Sequence, residues 1–138
     1  MAVIGYAPGA YDLFHIGHLN ILRQAREHCD HLIAGVVADD VILRAKARQA
    51  IVPLAERLDI VGSIRYVDEA VVDNHTDKFK SWEEFGYDIL FKGDDWRGTP
   101  RGVLLEHRLR SVGARLVYFP YTMHTSSTVL RKHLAGSA

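Results

Sequence analysis

Short, uninterrupted apolar runs alternate with helix-patterned segments along this chain, and no other feature narrows the fold as far. Ala2–Tyr6 is the first run and ends in the turn cluster Ala7-Pro8-Gly9-Ala10. Ile16–Glu27 follows with Leu19, Leu22 and Ala25 at helical spacing, and His31–Ala38 is a second apolar run. Pro53 opens a helix over Leu54–Ile64 at the favoured first position. Tyr66–Val72 reads as a third strand, Lys80–Phe85 as a helix and Asp88–Lys92 as a fourth strand. Arg101–Val112 is helical up to the stop at Gly113, Arg115–Pro120 is a fifth strand, and Ser126–Leu134 is a closing helix. The strand segments are apolar throughout rather than alternating, so both faces of the sheet are buried. That pattern predicts an α/β fold: a five-stranded, mainly parallel sheet with helices on both faces. Ligands of such a sheet bind beyond the carboxyl ends of its strands.

The 138 residues show no repeat, linker or low-complexity tract, so residues 1–138 read as one domain. Seventeen basic residues balance seventeen acidic ones, which disfavours a general nucleic-acid or membrane-surface binder. The lone Cys29 cannot form an internal disulfide. No Lys or Arg precedes Arg23, and the longest stretch without Asp, Glu, Lys or Arg, Leu116–Leu130, is 15 residues long and broken by Pro120. A bilayer span needs ~20 apolar residues, so the expectation is a soluble, cytoplasmic protein without a secretory signal. Gly-x-Gly-x-x-Gly does not follow the first strand, and neither a P-loop nor zinc-ligand spacing occurs.

Chemistry concentrates where the first strand passes into the first helix, in Gly9-Ala10-Tyr11-Asp12-Leu13-Phe14-His15-Ile16-Gly17-His18. His15 and His18 are three residues apart and share one face of a helical turn. Gly17 between them lets a ligand approach the backbone. Free N–H groups at a helix start form a seat for phosphate, and two imidazoles can donate to its oxygens. A basic run, Arg44, Lys46 and Arg48, joined by Arg57, reads either as a solvated helix face or as a clamp for phosphates. Asp94 and Asp95 follow the fourth strand, where paired carboxylates serve as turn caps, as acid and base, as metal ligands or as contacts to a base amino group. Ser126, Ser127 and Thr128 open the last helix, with Arg131 one turn on; a cap and a phosphate site are compatible there.

His-x-Gly-His after a Gly-x-(Tyr/Phe)-Asp turn resembles the signature of the small nucleotidyltransferases, and the chain looks most like their glycerol-3-phosphate cytidylyltransferase branch. Arg65-Tyr66-Val67-Asp68-Glu69, Gly93-Asp94-Asp95-Trp96 and Ser126-Ser127-Thr128 extend the likeness over nearly the whole chain. The resemblance implies the Rossmann-like nucleotidyltransferase fold and transfer of CMP from CTP, with Mg²⁺ carried by the triphosphate rather than by a metal site of the protein. The implied acceptor is a small phosphorylated polyol such as glycerol 3-phosphate, and the implied assembly is a homodimer. His15, His18, Lys46 and Arg48 are the implied catalytic residues. Gly9, Ala10, Tyr11, Asp12, Gly17, Arg65, Asp95, Thr122, Ser126, Ser127 and Thr128 are the implied nucleotide ligands, and Lys46 and Lys78 the acceptor ligands. An adenylyltransferase, another phosphate or phosphonate acceptor, and a non-catalytic nucleotide-binding homologue are the alternatives.

The chain departs from the pattern at three positions. Tyr121 stands where the family usually has Arg, His124 where it has Gly, and Ala10 where it has Thr. Tyrosine cannot replace a permanently charged bidentate phosphate ligand. His124, Arg97 and Arg101 are the candidates from the sequence to compensate.

Overall fold

The computed structural model describes residues 2–120 and 126–136. Among these residues β1 (Ile4–Gly9), β2 (His31–Val37), β3 (Glu69–Asp73), β4 (Ile89–Gly93) and β5 (Arg115–Phe119) form one sheet in the order β3-β2-β1-β4-β5. Every pairing is parallel. The connections carry α1 (Ile16–Arg26), α2 (Asp39–Lys46), α3 (Leu54–Gly62), α4 (Lys78–Phe85) and α5 (Pro100–Ser111), and α6 (Ser127–Gly136) follows β5.

Two cores flank the sheet. Leu22 and Ala25 of α1 and Val61 of α3 pack on Leu32, Ala34, Val36 and Phe91. On the other face Leu105 and Leu109 of α5 meet Ile33, Leu90, Tyr6 and Tyr87, with Phe79 and Trp82 of α4 beside them. Neighbouring residues of β2 thus serve opposite cores, which is why its sequence never alternates.

Two strands depart most from the sequence expectation, and one helix is additional to it. β1 runs through Pro8 to Gly9, because it pairs with β2 as far as Gly9 but with β4 only at Gly5 and Tyr6. The half-free edge leaves room for a residue without an N–H. β3 begins at Glu69 rather than Tyr66. Val67 N donates to Ile64 O and Asp68 N to Leu32 O, while Asp68 Oδ2 accepts from Leu32 N at 2.8 Å, which holds the preceding segment in a turn. The basic run belongs to α2, an element absent from the sequence reading. It ends at Ala47 in the left-handed region, φ 54°, between Lys46 and Arg48.

β1 and β4 are neighbours, yet the chain leaves β1 toward β2 and β3 before returning to β4. The connections therefore diverge between β1 and β4, opening a crevice at their carboxyl ends.

Candidate active site

A cavity of 490 Å³ fills that crevice. Its walls are Pro8 and Gly9 of β1, Ala10 and Tyr11 of the following loop, and His15, Gly17, His18 and Ile21 around the start of α1. Lys46 and Arg48 close it from the end of α2, Phe91, Lys92, Gly93 and Asp95 from β4 and its turn, and Ser126, Ser127, Thr128 and Arg131 from α6. A more open, apolar depression over α5, lined by Gly98, Pro100, Val103, Leu104 and His107, gathers no comparable cluster of cations.

The two histidines cap α1 for each other. Gly17 N donates to His15 Nδ1 at 3.0 Å, and His15 N donates to His18 Nδ1 at 3.2 Å. With each Nδ1 accepting, both neutral rings carry their proton on Nε2. Burial pushes the His18 imidazole down to about 3, helped by His15 beside it, and burial also lowers His15. The rings of Tyr11 and Phe14 lie tilted against His18, each with its centroid 5.3 Å away, and supply that burial. Both rings are therefore uncharged donors near neutral pH. His15 Nε2 lies 3.2 Å from Ser127 Oγ, which donates to Asp12 O at 2.7 Å, tying α6 to the β1–α1 loop.

That loop is strained. Tyr11 and Leu13 adopt φ 52° and 53° without being glycine, a cost of roughly 1–2 kcal/mol each. Tyr11 Oη, donating to Ala7 O at 2.7 Å, and Asp12 hold it in place. Asp12 Oδ2 accepts from Ile51 N at 2.9 Å, Oδ1 from Val52 N at 2.8 Å, and Arg131 Nη2 donates to Oδ2 at 2.9 Å. Burial raises the Asp12 carboxyl, but these donors outweigh it and hold it below the usual range.

Asp12, expected among the nucleotide ligands, does not line the cavity; its carboxylate is engaged by the N–H groups of Ile51 and Val52 and by Arg131. Arg57, expected among the phosphate cations, is fully buried. It donates to Val52 O, Ala10 O and Val37 O at 2.7–2.8 Å and pairs with Asp39, stitching β1, β2 and α3 together. Arg44 is exposed and pairs with Asp40 one turn back. Arg65 precedes β3, at the amino edge opposite the cavity, where it covers its neighbour Tyr66. Lys78 Nζ pairs with the buried Asp73 Oδ2 at 3.1 Å and faces a separate groove between α4 and α5. Thr122, Tyr121 and His124 lie outside the described residues.

The remaining expected residues come together: Gly9, Ala10, Tyr11, His15, Gly17, His18, Lys46, Arg48, Asp95, Ser126, Ser127 and Thr128 all line the cavity. Ser126 caps α6 through Val129 N at 3.1 Å while doing so. The site assignment from sequence missed Arg131 and Lys92. Arg131 follows the hydroxyl triplet by one turn, and Lys92 is the one charge within the apolar strand β4. Arg97 and Arg101 instead cover Tyr118 and Trp96 and stay outside the cavity. Arg131 is the extra guanidinium there, in a chain with tyrosine at position 121.

Arg48 Nη1 and Arg131 Nε are buried with no hydrogen-bond partner among the described residues. Lys46 is pushed down by burial and by Arg48 and Arg131 beside it. Among the described residues four cationic side chains thus line the cavity with one carboxylate, Asp95. Among the described residues no three His, Cys, Asp or Glu side chains are grouped to hold a metal ion, and no helix is long and apolar enough to cross a membrane.

A parallel sheet of this order with a cation-lined, histidine-capped crevice at its carboxyl edge defines a Rossmann-like α/β domain. A cytidylyltransferase-like family model matches residues 6–133, and the chain belongs to that nucleotidyltransferase family. It is 39% identical over 102 residues to an Arabidopsis thaliana ethanolamine-phosphate cytidylyltransferase, covering 70% of this chain but only 24% of that protein's length. It is 30% identical over 135 residues to the glycerol-3-phosphate cytidylyltransferase of Bacillus subtilis (strain 168), covering 93% and 94% of the two chains. An FAD synthase of Pyrococcus abyssi is 30% identical over 116 residues, 82% of this chain and 77% of that one. The lipopolysaccharide core biosynthesis protein of Thermoplasma volcanium GSS1 shares the fold, with a TM-score of 0.74 at 22% identity over 91% of this chain and all of its own.

Proposed function

We propose that the protein transfers CMP from CTP to a small phosphorylated polyol such as glycerol 3-phosphate. The acceptor phosphate oxygen attacks the α-phosphorus in line, the bond to the β-phosphate oxygen breaks, and pyrophosphate leaves with the electron pair. A CDP-linked product remains. The observation that carries this reading is the pair of buried guanidinium N–H groups on Arg48 and Arg131, both residues of the cavity wall, that find no partner among the described residues. A buried cationic donor left without a partner is costly, and an anionic ligand removes that cost.

His18 donates from Nε2 to the α-phosphate oxygens, His15 does so when the substrate draws its Nε2–H from Ser127 Oγ, and the strained loop holds both rings. Lys46 aligns the acceptor anion, Arg48 and Arg131 the triphosphate, and the N-terminus of α6 adds its free N–H groups. No protein nucleophile is required; positioning and charge carry the reaction. Mg²⁺ travels with the triphosphate and shares its charge. The B. subtilis relative, matched over nearly its full length, supports the CTP and glycerol 3-phosphate pairing. The FAD synthase relative supports a second reading with ATP as donor.

Pyrophosphate release with CTP or ATP and Mg²⁺, against a panel of phosphorylated polyols and phosphonates, tests both readings. CTP with glycerol 3-phosphate is expected to turn over fastest, and His18→Ala to lose ~10²–10³ of that rate. Nucleotide binding without release would replace the enzyme by a binding protein. Light scattering decides the homodimer, whose mass is twice that of the monomer.

A further inference from the structure

Three lysines reach the carboxyl edge from three elements: Lys46 from the end of α2, Lys78 from the first turn of α4, and Lys92 from the end of β4. Their surroundings differ. Lys78 Nζ pairs with Asp73 Oδ2 at 3.1 Å and donates to His75 O at 2.7 Å, so its charge is matched where it stands. Asp73 is itself fully buried and accepts from Tyr6 and Ser81 as well, which fixes the arrangement. Lys92 lines the nucleotide cavity, its ammonium resting 4.1 Å from the centroid of Trp96. Among the described residues it makes no ion pair or hydrogen bond. Arg101 covers the same ring at 4.2 Å. Lys92 is half-buried, and a cation resting on an aromatic face keeps only part of its hydration, which a counter-ion supplements.

We propose that Lys92, rather than Lys78, binds the phosphate of the acceptor and makes the enzyme selective for a phosphomonoester dianion. This rests on the nucleotidyl-transfer reading above. β4 borders β1, whose loop presents His15 and His18, so an anion on Lys92 lies beside the α-phosphate seat with Lys46 across the cavity. The charged groups facing Lys92 are Lys46 from α2, Lys78 from α4, Asp95 from the turn after β4 and Arg101 from α5. Burial first, then these cations against the one carboxylate, push its ammonium down to about 8. A phosphomonoester becomes a dianion above pH ~6. Acceptor capture by the free enzyme is therefore strongest between about 6 and 8, and falls on the alkaline side as Lys92 loses its proton.

Trp82→Phe leaves Trp96 as the sole tryptophan, against which Lys92 lies. With a non-cleavable α,β-methylene analogue of CTP bound, glycerol 3-phosphate and, separately, inorganic phosphate are titrated while Trp96 emission is followed. Lys92→Met is expected to weaken both anions by ~10-fold or more, the worth of one charge-assisted hydrogen bond, and to weaken the analogue by clearly less. Lys92→Arg is expected to retain binding and to abolish the alkaline loss near pH 8. Without ligand, Lys92→Met is expected to melt above the wild type, since an unmatched charge has gone. Equal anion binding by Lys92→Met and wild type overturns the proposal, as does equal loss of anion and analogue, or a wild type that binds neither anion. Failure of the nucleotidyl-transfer reading shows separately, as a wild type that does not bind the analogue.

Discussion

Arg131→Lys separates two tasks that one guanidinium performs at once. Nη2 of Arg131 pairs with the buried Asp12 carboxylate at 2.9 Å, while Nε of the same fork is buried at the cavity without a partner among the described residues. An ammonium has one position, so lysine can hold Asp12 or meet a phosphate but not both. Lysine keeps the counter-charge of Asp12, so stability is expected to stay within ~1 kcal/mol of the wild type. Arg131→Met removes that charge. Asp12 would keep the N–H groups of Ile51 and Val52, and the Arg131 side chain is 19% exposed, so the cost falls below the range for a wholly buried pair, at ~2–3 kcal/mol. Both variants lose a donor directed at developing phosphate charge, which costs ~10²–10³ in kcat, or about 2.7–4 kcal/mol. Pyrophosphate release and urea unfolding by circular dichroism, run on both variants, read the two tasks independently. Near-wild-type turnover in Arg131→Lys refutes the assignment of Nε to the ligand, and equal destabilisation of both variants refutes the assignment of Nη2 to Asp12.

Further expectations follow from particular contacts. His18 is held neutral at about 3, against ~6.5 in an unfolded chain, so unfolding takes up a proton in that window. Stability therefore falls as pH drops from ~6.5, by at most ~1.4 kcal/mol per unit, and His18→Gln is expected to flatten that slope in chemical-denaturation curves. A Cβ on Gly35 would lie 2.0 Å from Tyr6 Oη, which donates to Asp73 at 2.6 Å while its ring stacks on Tyr87 at 4.8 Å. Tyr6 has nowhere to move, so Gly35→Ala is expected to cost ~3 kcal/mol or more, read as a lowered Tm.

Much of the fold was legible because burial on both faces leaves an unmistakable run of apolar residues at each strand. What escaped was set by contacts between distant segments. β1 outruns its turn cluster because β2 pairs with it past Pro8, and no local rule reports a neighbour's length. β3 starts late because Leu32 and Asp68, 36 residues apart, exchange hydrogen bonds ahead of it. That delay also leaves Arg65 at the amino edge, despite its match to a family position. The His15–His18 pair was legible as a site, yet its mutual capping and neutral state required the positions of Gly17, Tyr11 and Phe14.

Cations illustrate the limit most clearly, because sequence supplies their number and the fold supplies their partners. Arg57 and Lys78 look as eligible for phosphate as Arg48 and Lys92 when read along the chain. Three carbonyls and Asp39 satisfy Arg57, and Asp73 satisfies Lys78, whereas among the described residues Arg48 Nη1 and Arg131 Nε have no partner and Lys92 rests on the face of Trp96 without an ion pair. A satisfied buried cation stiffens the structure and resists being drawn to a ligand, since breaking its pair strands a carboxylate. An unsatisfied one costs stability until an anion arrives, and that cost is recovered as affinity on binding. Sorting the basic residues by what already neutralises them therefore divides framework from site here: Asp73 and Asp39, although neither lines the cavity, decide which cations remain to meet a phosphate.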